Sequence, residues 1–377
     1  MLKIIRSKGA THTDLLLTFL IIALSVFGTA MVFSAGMPYA EARYGDEMYF
    51  IKRQIIWIIV GYSTMILSTM IPIKIYKKLS IPLYIFTLLL LILVLIVGFV
   101  GNGAKRWISL GPITLQPSEI AKISLIMILA YYFSENEASR ERKRRGIIFK
   151  HGTLFPILIM LLPITLVMLQ HHLSCIIILG TLGLALTVIS GIDTRYIRIS
   201  CGVGVAAVSA FAFLTDYTKE RITVWRNPEA YKLTGGWQTL QGLMAIGSGG
   251  LFGLGYGNSI MKHCYVSEPA NDMIFAILCE ELGFFGAALA LILFLLLILR
   301  GYKIAIESAD TYSRLLAFGI STKMAVQTLL NVAVVTNTIP NTGVSLPFFS
   351  YGGSSLIMLF FEMGILLSIS KNAKLNK

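Results

Sequence analysis

Charge is what this chain has least of. Only 14% of its 377 residues are Asp, Glu, Lys or Arg, against about a quarter in soluble globular domains, while 56% are hydrophobic. A soluble enzyme with a solvated surface is excluded. Cysteine is sparse as well: Cys175, Cys201, Cys264 and Cys279 show no paired spacing, which argues against a disulfide framework or a metal site and leaves them as packing residues. The five histidines lack metal-ligand spacing. His171 and His172, adjacent at the junction of two apolar runs, read as an interfacial pair rather than as ligands. There is no P-loop or dinucleotide fingerprint, because GLGYG at 253–257 has neither the strand nor the helix that such a loop needs around it. No internal repeat of the transporter kind is evident. Acidic residues number 19 against 32 basic ones, a net charge of +13. The basic residues are scattered over short loops with no reader motif, so nucleic acid is not the expected partner. Anionic lipid at the inner surface accounts for the excess.

What the chain does have is apolar length. Runs able to cross about 30 Å of hydrocarbon recur at 14–35, 54–72, 81–101, 118–134, 153–170, 174–191, 197–215, 272–299, 314–335 and 351–370. The expectation is an all-α polytopic membrane protein of about ten transmembrane helices, folded as a single domain over 1–377. A long extracytoplasmic loop, about 216–271, separates helices seven and eight. With the N-terminus inside, 20 Lys and Arg fall in cytoplasmic segments and 10 in outer ones, so both termini are expected in the cytoplasm. The ERKRR run at 141–145 serves as part of that orientation signal. Lys3, Arg6 and Lys8 precede a first run too long for a secretory signal, which is read as an uncleaved first span. Half of the outer basic residues lie in the 216–271 segment, where an anionic substrate could be met.

Three polar constellations collect on the outer side. In the first, residues 102–122, Lys105 and Arg106 beside Trp107 form a basic, aromatic turn suited to lipid headgroups or pyrophosphate. Gln116, Pro117 and Ser118 then open a helix, with Ser118 as expected N-cap and Glu119 in the first turn. Glu119 and Lys122, three apart, share one helix face and can pair in the membrane, either at a cavity or merely to fix packing. The second constellation, 253–283, carries Lys262, Glu268, Pro269 and Asp272 ahead of a long apolar span. Pro269 fits a first helical turn, which would place Asp272 in that turn, its carboxylate favoured by the helix dipole. A carboxylate at the mouth of a membrane helix is costly and is therefore a functional candidate, a general base if it faces water. A simple helix cap is the other reading. Glu280 and Glu281 two turns deeper read as an acidic pair linked to packing. In the third, 337–355, two prolines with Ser350, Tyr351, Ser354 and Ser355 break the apolar pattern. Irregular backbone at this depth is tolerated only when buried in protein or lining a cavity.

The segments GAKRWISLGPITLQPSEIAK, GGLFGLGYGNSIMK with SEPANDMIFAILCEELG, and GVSLPFFSYGGSS resemble the signature regions of the SEDS family (shape, elongation, division and sporulation proteins). MVFSAG and IKRQIIW near the N-terminus resemble its opening, and MVFSAG leans towards the FtsW and SpoVE types over RodA. The likeness implies a ten-helix glycosyltransferase of the bacterial cytoplasmic membrane that polymerises lipid II into peptidoglycan strands on the outer face. It implies Asp272 as the catalytic aspartate, with Glu119 and Lys122 as the family's motif glutamate and lysine. It also implies a class B penicillin-binding protein, a transpeptidase, as partner, within the divisome or elongasome. Asn271-Asp272-Met273 departs from the family's usual Thr-Asp-Phe, and His171-His172 replaces its Pro-Asp pair. Inverting transfer fits both lines of reasoning, with Lys105, Arg106, Arg221 and Lys262 as outer cations for the leaving pyrophosphate. A divalent cation, Mg2+ or Mn2+, is admitted there, although no ligand set can be read from the sequence. A lipid-precursor transporter or flippase would need a path open in turn to both sides, and a non-catalytic transpeptidase scaffold would need no ordered base.

Overall fold

The computed structural model describes residues 13–101, 104–111, 113–135, 154–191 and 216–373, together with 202 and 204. Its helices are α1 (Leu15–Tyr44), α2 (Tyr49–Met70), α3 (Ile73–Val97), α4 (Pro117–Glu135), α5 (Leu154–Leu169), α6 (Leu173–Ile189), α7 (Asp216–Arg226), α8 (Gly236–Gly249), α9 (Ile274–Ile306), α10 (Thr311–Val335) and α11 (Gly353–Ser370). Nine of the ten expected spans coincide with one of these helices. The expected seventh span, 197–215, and the basic run at 141–145 lie outside the described residues. Six helices, α1, α2, α3, α9, α10 and α11, are long and apolar enough to cross a membrane, and α5 and α6 are shorter apolar helices.

Local chemistry sets several ends. The Asp14 carboxylate accepts from Leu17 N at 3.0 Å and caps α1. The same carboxylate accepts from Arg300 Nε at 2.7 Å, tying the start of α1 to the far part of α9. Gly45, left-handed at φ 67°, ends α1 by donating its N–H to Glu41 O. In the core α2 packs along α11, α9 along α10, and α4 is enclosed by α3, α10 and α6.

One element was not expected. Between α3 and α4 the chain forms a small antiparallel sheet, β1 (Phe99–Gly101), β2 (Ala104–Leu110) and β3 (Ile113–Leu115), in the order β1-β2-β3. Phe99 pairs with Trp107 and Ile108 with Leu115. The expected third span, read to residue 101, therefore stops at Val97, and what read as a turn around Arg106 is a rigid strand.

The glycine-rich stretch after α8 also has a reason. Inside α9, Gly283 breaks the helix at φ 64°, ψ −164°, which frees backbone groups that the interior cannot leave unpaired. The 249–255 segment supplies partners: Leu254 N donates to Glu280 O and Gly255 N to Glu281 O, both at 2.9 Å, while Phe284 N donates to Gly250 O at 2.9 Å. A side chain at Gly253 or Gly283 would collide with the facing backbone. Glycine is needed here for close approach.

Candidate functional site

The ends of these elements enclose a cavity of about 690 Å³. All three polar constellations reach it. Arg106, Trp107, Gln116, Glu119 and Lys122 come from the first, Glu268, Asn271 and Asp272 from the second, and residues 341–345 with Tyr351 and Ser355 from the third. Segments more than 200 residues apart in sequence thus share one polar chamber.

Asp272 does not sit where the helix-start reading placed it. Residues 269–273 form turns and α9 begins only at Ile274, so Pro269 is not in a first helical turn and Asp272 lies ahead of the helix. The chain stays non-helical because Glu268 adopts φ 56° and its carbonyl accepts from Asn271 N at 3.0 Å. The consequence is electrostatic. Burial, and then the neighbouring Glu268 carboxylate, push the Asp272 carboxyl up to about 7, against a smaller opposing pull from Arg221 and the Gln238 side chain. The carboxylate that the sequence reading sets at a helix start, favoured by the dipole, is instead one poised near neutrality. Its Oδ1 has no hydrogen-bond partner, and Gly343 faces it, with a notional Cβ there 3.7 Å from Oδ2.

The other walls are built around it. Lys122 Nζ lies 2.7 Å from the Glu119 carboxylate and 3.3 Å from Gln327 Oε1, so the pair expected from i,i+3 spacing forms and is tied to α10. Ser118 is not the N-cap: Pro117 begins α4 and Ser118 follows it inside, its Oγ 3.4 Å from His172 Nδ1. His172 is buried and lines the cavity, whereas His171 is exposed, so the two are not an interfacial pair. Burial, with Arg106 and Lys122 nearby, holds the His172 imidazole well below its ordinary value and so neutral. Arg106 donates to His171 O, and Arg221 to Asn341 O. Both guanidiniums are therefore oriented by backbone carbonyls while lining the chamber.

The FtsW/RodA/SpoVE family model, described as "Cell cycle protein", matches residues 14–375. This chain belongs to that family. It is 36% identical over 373 residues to "Probable peptidoglycan glycosyltransferase FtsW" of Geobacter sulfurreducens, covering 97% of each chain. It is 36% identical over 366 residues to "Stage V sporulation protein E" of Bacillus subtilis, covering 97% of this chain and 98% of that protein. The crystal structure of Thermus thermophilus rod shape determining protein RodA matches 97% of this chain and 98% of its own at TM-score 0.70 and 26% identity. A solved chain described as "Structural coordination of polymerization and crosslinking by a peptidoglycan synthase complex" matches at TM-score 0.79 and 26% identity. The protein is a polytopic membrane member of the SEDS family.

Five expected site residues of this SEDS protein, Lys105, Ser118, Lys262, Ser350 and Ser354, do not line the chamber. Lys105 is exposed and does not line it. Lys262 is buried in an ion pair with Glu281 at 2.9 Å and also donates to Ser34 Oγ at 3.0 Å, so it locks the loop to α1 and α9 instead of meeting a phosphate. Glu280 belongs to the same lock, accepting from Ile260 N at 3.0 Å. Ser354 is buried behind the wall. Ser350 latches two motifs together: its Oγ accepts from Leu346 N and donates to Asn271 O, each at 2.7 Å, while Tyr351 N donates to Ala270 O at 2.8 Å. Arg53, Trp57 and Gln238 also line the chamber and were not singled out from sequence. Their only signal was membership of IKRQIIW or of the glycine-rich outer loop. Deeper, Lys323 and Glu362 pair at 2.7 Å, both essentially inaccessible.

Proposed function

We propose that this protein is a peptidoglycan glycosyltransferase that polymerises lipid II at the outer face of the cytoplasmic membrane, with Asp272 as general base. The observation that carries the reading is Asp272 itself: a carboxylate raised to about 7, with one unpaired oxygen, inside a chamber that the three motifs build jointly. A base whose pKa lies near the working pH combines availability with proton affinity. Asp272 takes the proton of the acceptor N-acetylglucosamine 4-hydroxyl. That oxygen forms the new bond to C1 of the donor N-acetylmuramic acid as the bond to undecaprenyl pyrophosphate breaks, inverting the anomeric centre. Arg53, Arg106 and Arg221, which line the chamber, supply fixed positive charge towards the leaving pyrophosphate.

A divalent cation finds no ready set of ligands. Among the described residues no group of three or more His, Cys, Asp or Glu could hold a metal ion. Glu119 is committed to Lys122, and Glu268 accepts from the Asn271 amide. The partner is a class B penicillin-binding transpeptidase of the divisome or elongasome, a reading supported by the solved peptidoglycan synthase complex. Both termini lie in the cytoplasm, as the distribution of Lys and Arg favours.

The test is polymerisation of lipid II by the purified protein, alone and with its transpeptidase. Asp272→Asn should stay folded and bind the partner yet make no glycan. Retention of more than about a tenth of the wild-type rate would remove the base role, given the usual 10²–10⁴-fold contribution of such a group. Flipping of lipid II in vesicles without any polymer would instead favour a transporter.

A further inference from the structure

Asn331 lies near the C-terminal end of α10 and is completely buried. Its amide Nδ2 donates two hydrogen bonds, one to Asp272 O at 2.9 Å and one to Val344 O at 2.6 Å. Both acceptors are backbone carbonyls, which fixes the orientation of the amide: the flipped form would set Oδ1 against two carbonyl oxygens. One side chain thus uses both of its donors to hold two chain segments together. One segment ends in the Asp272 carboxylate. The other carries Gly343, whose backbone at φ 66° faces that carboxylate. No helix holds Asp272, since α9 starts two residues later. Its backbone position depends on tertiary contacts, and Asn331 supplies a direct one.

We infer that Asn331 is the positioning residue of the catalytic base, holding the Asp272 backbone against the 343–344 turn and so setting where its carboxylate sits in the chamber wall. The inference rests on the reading of Asp272 as base. A buried Asn in a membrane helix is costly to keep without such a duty. Neither a leucine nor an alanine could make the two bonds, and a misplacement of about 1 Å at a reacting group can cost on the order of 10²-fold in rate. The charged and titratable groups that line the chamber with Asp272 are Glu268 on its own loop, Arg221 on α7, Glu119 and Lys122 on α4, Arg106 on β2, Arg53 and Tyr49 on α2, Tyr44 on α1, His172 before α6, Cys175 on α6 and Tyr351 before α11. Asn331 touches none of them in any described hydrogen bond, so its removal leaves their charges in place and changes only how the carboxylate is held.

The experiment compares Asn331→Ala and the similar-sized, uncharged Asn331→Leu with wild type in lipid II polymerisation by the complex with its transpeptidase, at matched amounts of monodisperse protein. The expected result is a fall in kcat of about 10–100-fold with KM for lipid II unchanged. In Asn331→Ala the acid limb of the rate profile should also move below pH 7, because a released carboxylate gains water. Asn331→Leu keeps the volume without adding a charge and guards against a cavity-driven folding defect in the alanine variant. Wild-type kcat and an unshifted acid limb, beside an inactive Asp272→Asn, would overturn the tether alone. A raised KM at unchanged kcat would overturn it too, since Asn331 would then shape only the substrate's berth. An active Asp272→Asn would sink the base reading, and the tether with it.

Discussion

Removing one charge from the Glu119–Lys122 pair should hurt this protein more than removing both. The two groups are 2.7 Å apart with side chains only 8% and 3% exposed. At an effective dielectric near 20 their attraction is about 6 kcal/mol, a sum offset by a desolvation penalty of several kcal/mol for each ion. The intact pair is thus close to neutral for stability, whereas a lone survivor keeps its penalty and loses its partner, at a cost of about 3–5 kcal/mol. The surroundings soften each loss unequally. In Lys122→Met, Glu119 still feels the Lys323 charge; in Glu119→Gln, Lys122 still reaches Gln327 Oε1 at 3.3 Å. Each single variant is therefore expected at the lower end of that range, about 3 kcal/mol, and the double variant within about 1 kcal/mol of wild type. The coupling, about 5 kcal/mol, can be read from graded SDS unfolding followed by the fluorescence of the four tryptophans. Activity should stay low in the double variant, because both groups line the chamber. Additive losses across the cycle would refute the argument, showing that the two charges do not depend on each other.

Two further outcomes follow from the same geometry. Arg106→Ala should weaken apparent lipid II affinity more than Arg43→Ala, since Arg106 lines the chamber and Arg43 is exposed with Tyr39 as its partner; equal affinities at matched folded protein would take Arg106 out of the binding site. Glu268→Gln should move the acid limb of polymerisation below pH 7, because Glu268 is the charged neighbour that, after burial, raises Asp272. The sign is set by protonation: the base works when ionised, so the rate rises with pH through its pKa, and removing a like charge lowers that pKa. An unmoved limb in Glu268→Gln would assign the whole shift to burial.

The sequence by itself determined whatever depends on local order. Apolar runs of span length mark where helices form, because hydrocarbon leaves the backbone no partner but itself, and nine of the ten runs coincide with helices. The i,i+3 spacing of Glu119 and Lys122 was enough to predict their ion pair, since a helix puts such residues side by side. The motifs carried the family. Tertiary structure decided the rest, wherever a residue's role depends on what lies across from it. Lys262 and Arg106 look alike in the chain, yet Glu281 and Ser34 bury the first while the sheet at 99–115 turns the second into the chamber. His172 became a buried wall residue only because α4 and β2 close over it. Pro269 suggested a helix start that Glu268 at φ 56° postpones to Ile274. Above all, the basicity of Asp272 comes from enclosure and from Glu268, and its backbone is fixed by Asn331 from a helix some 59 residues away. Burial and through-space charge set those properties, and neither is a function of neighbours in sequence.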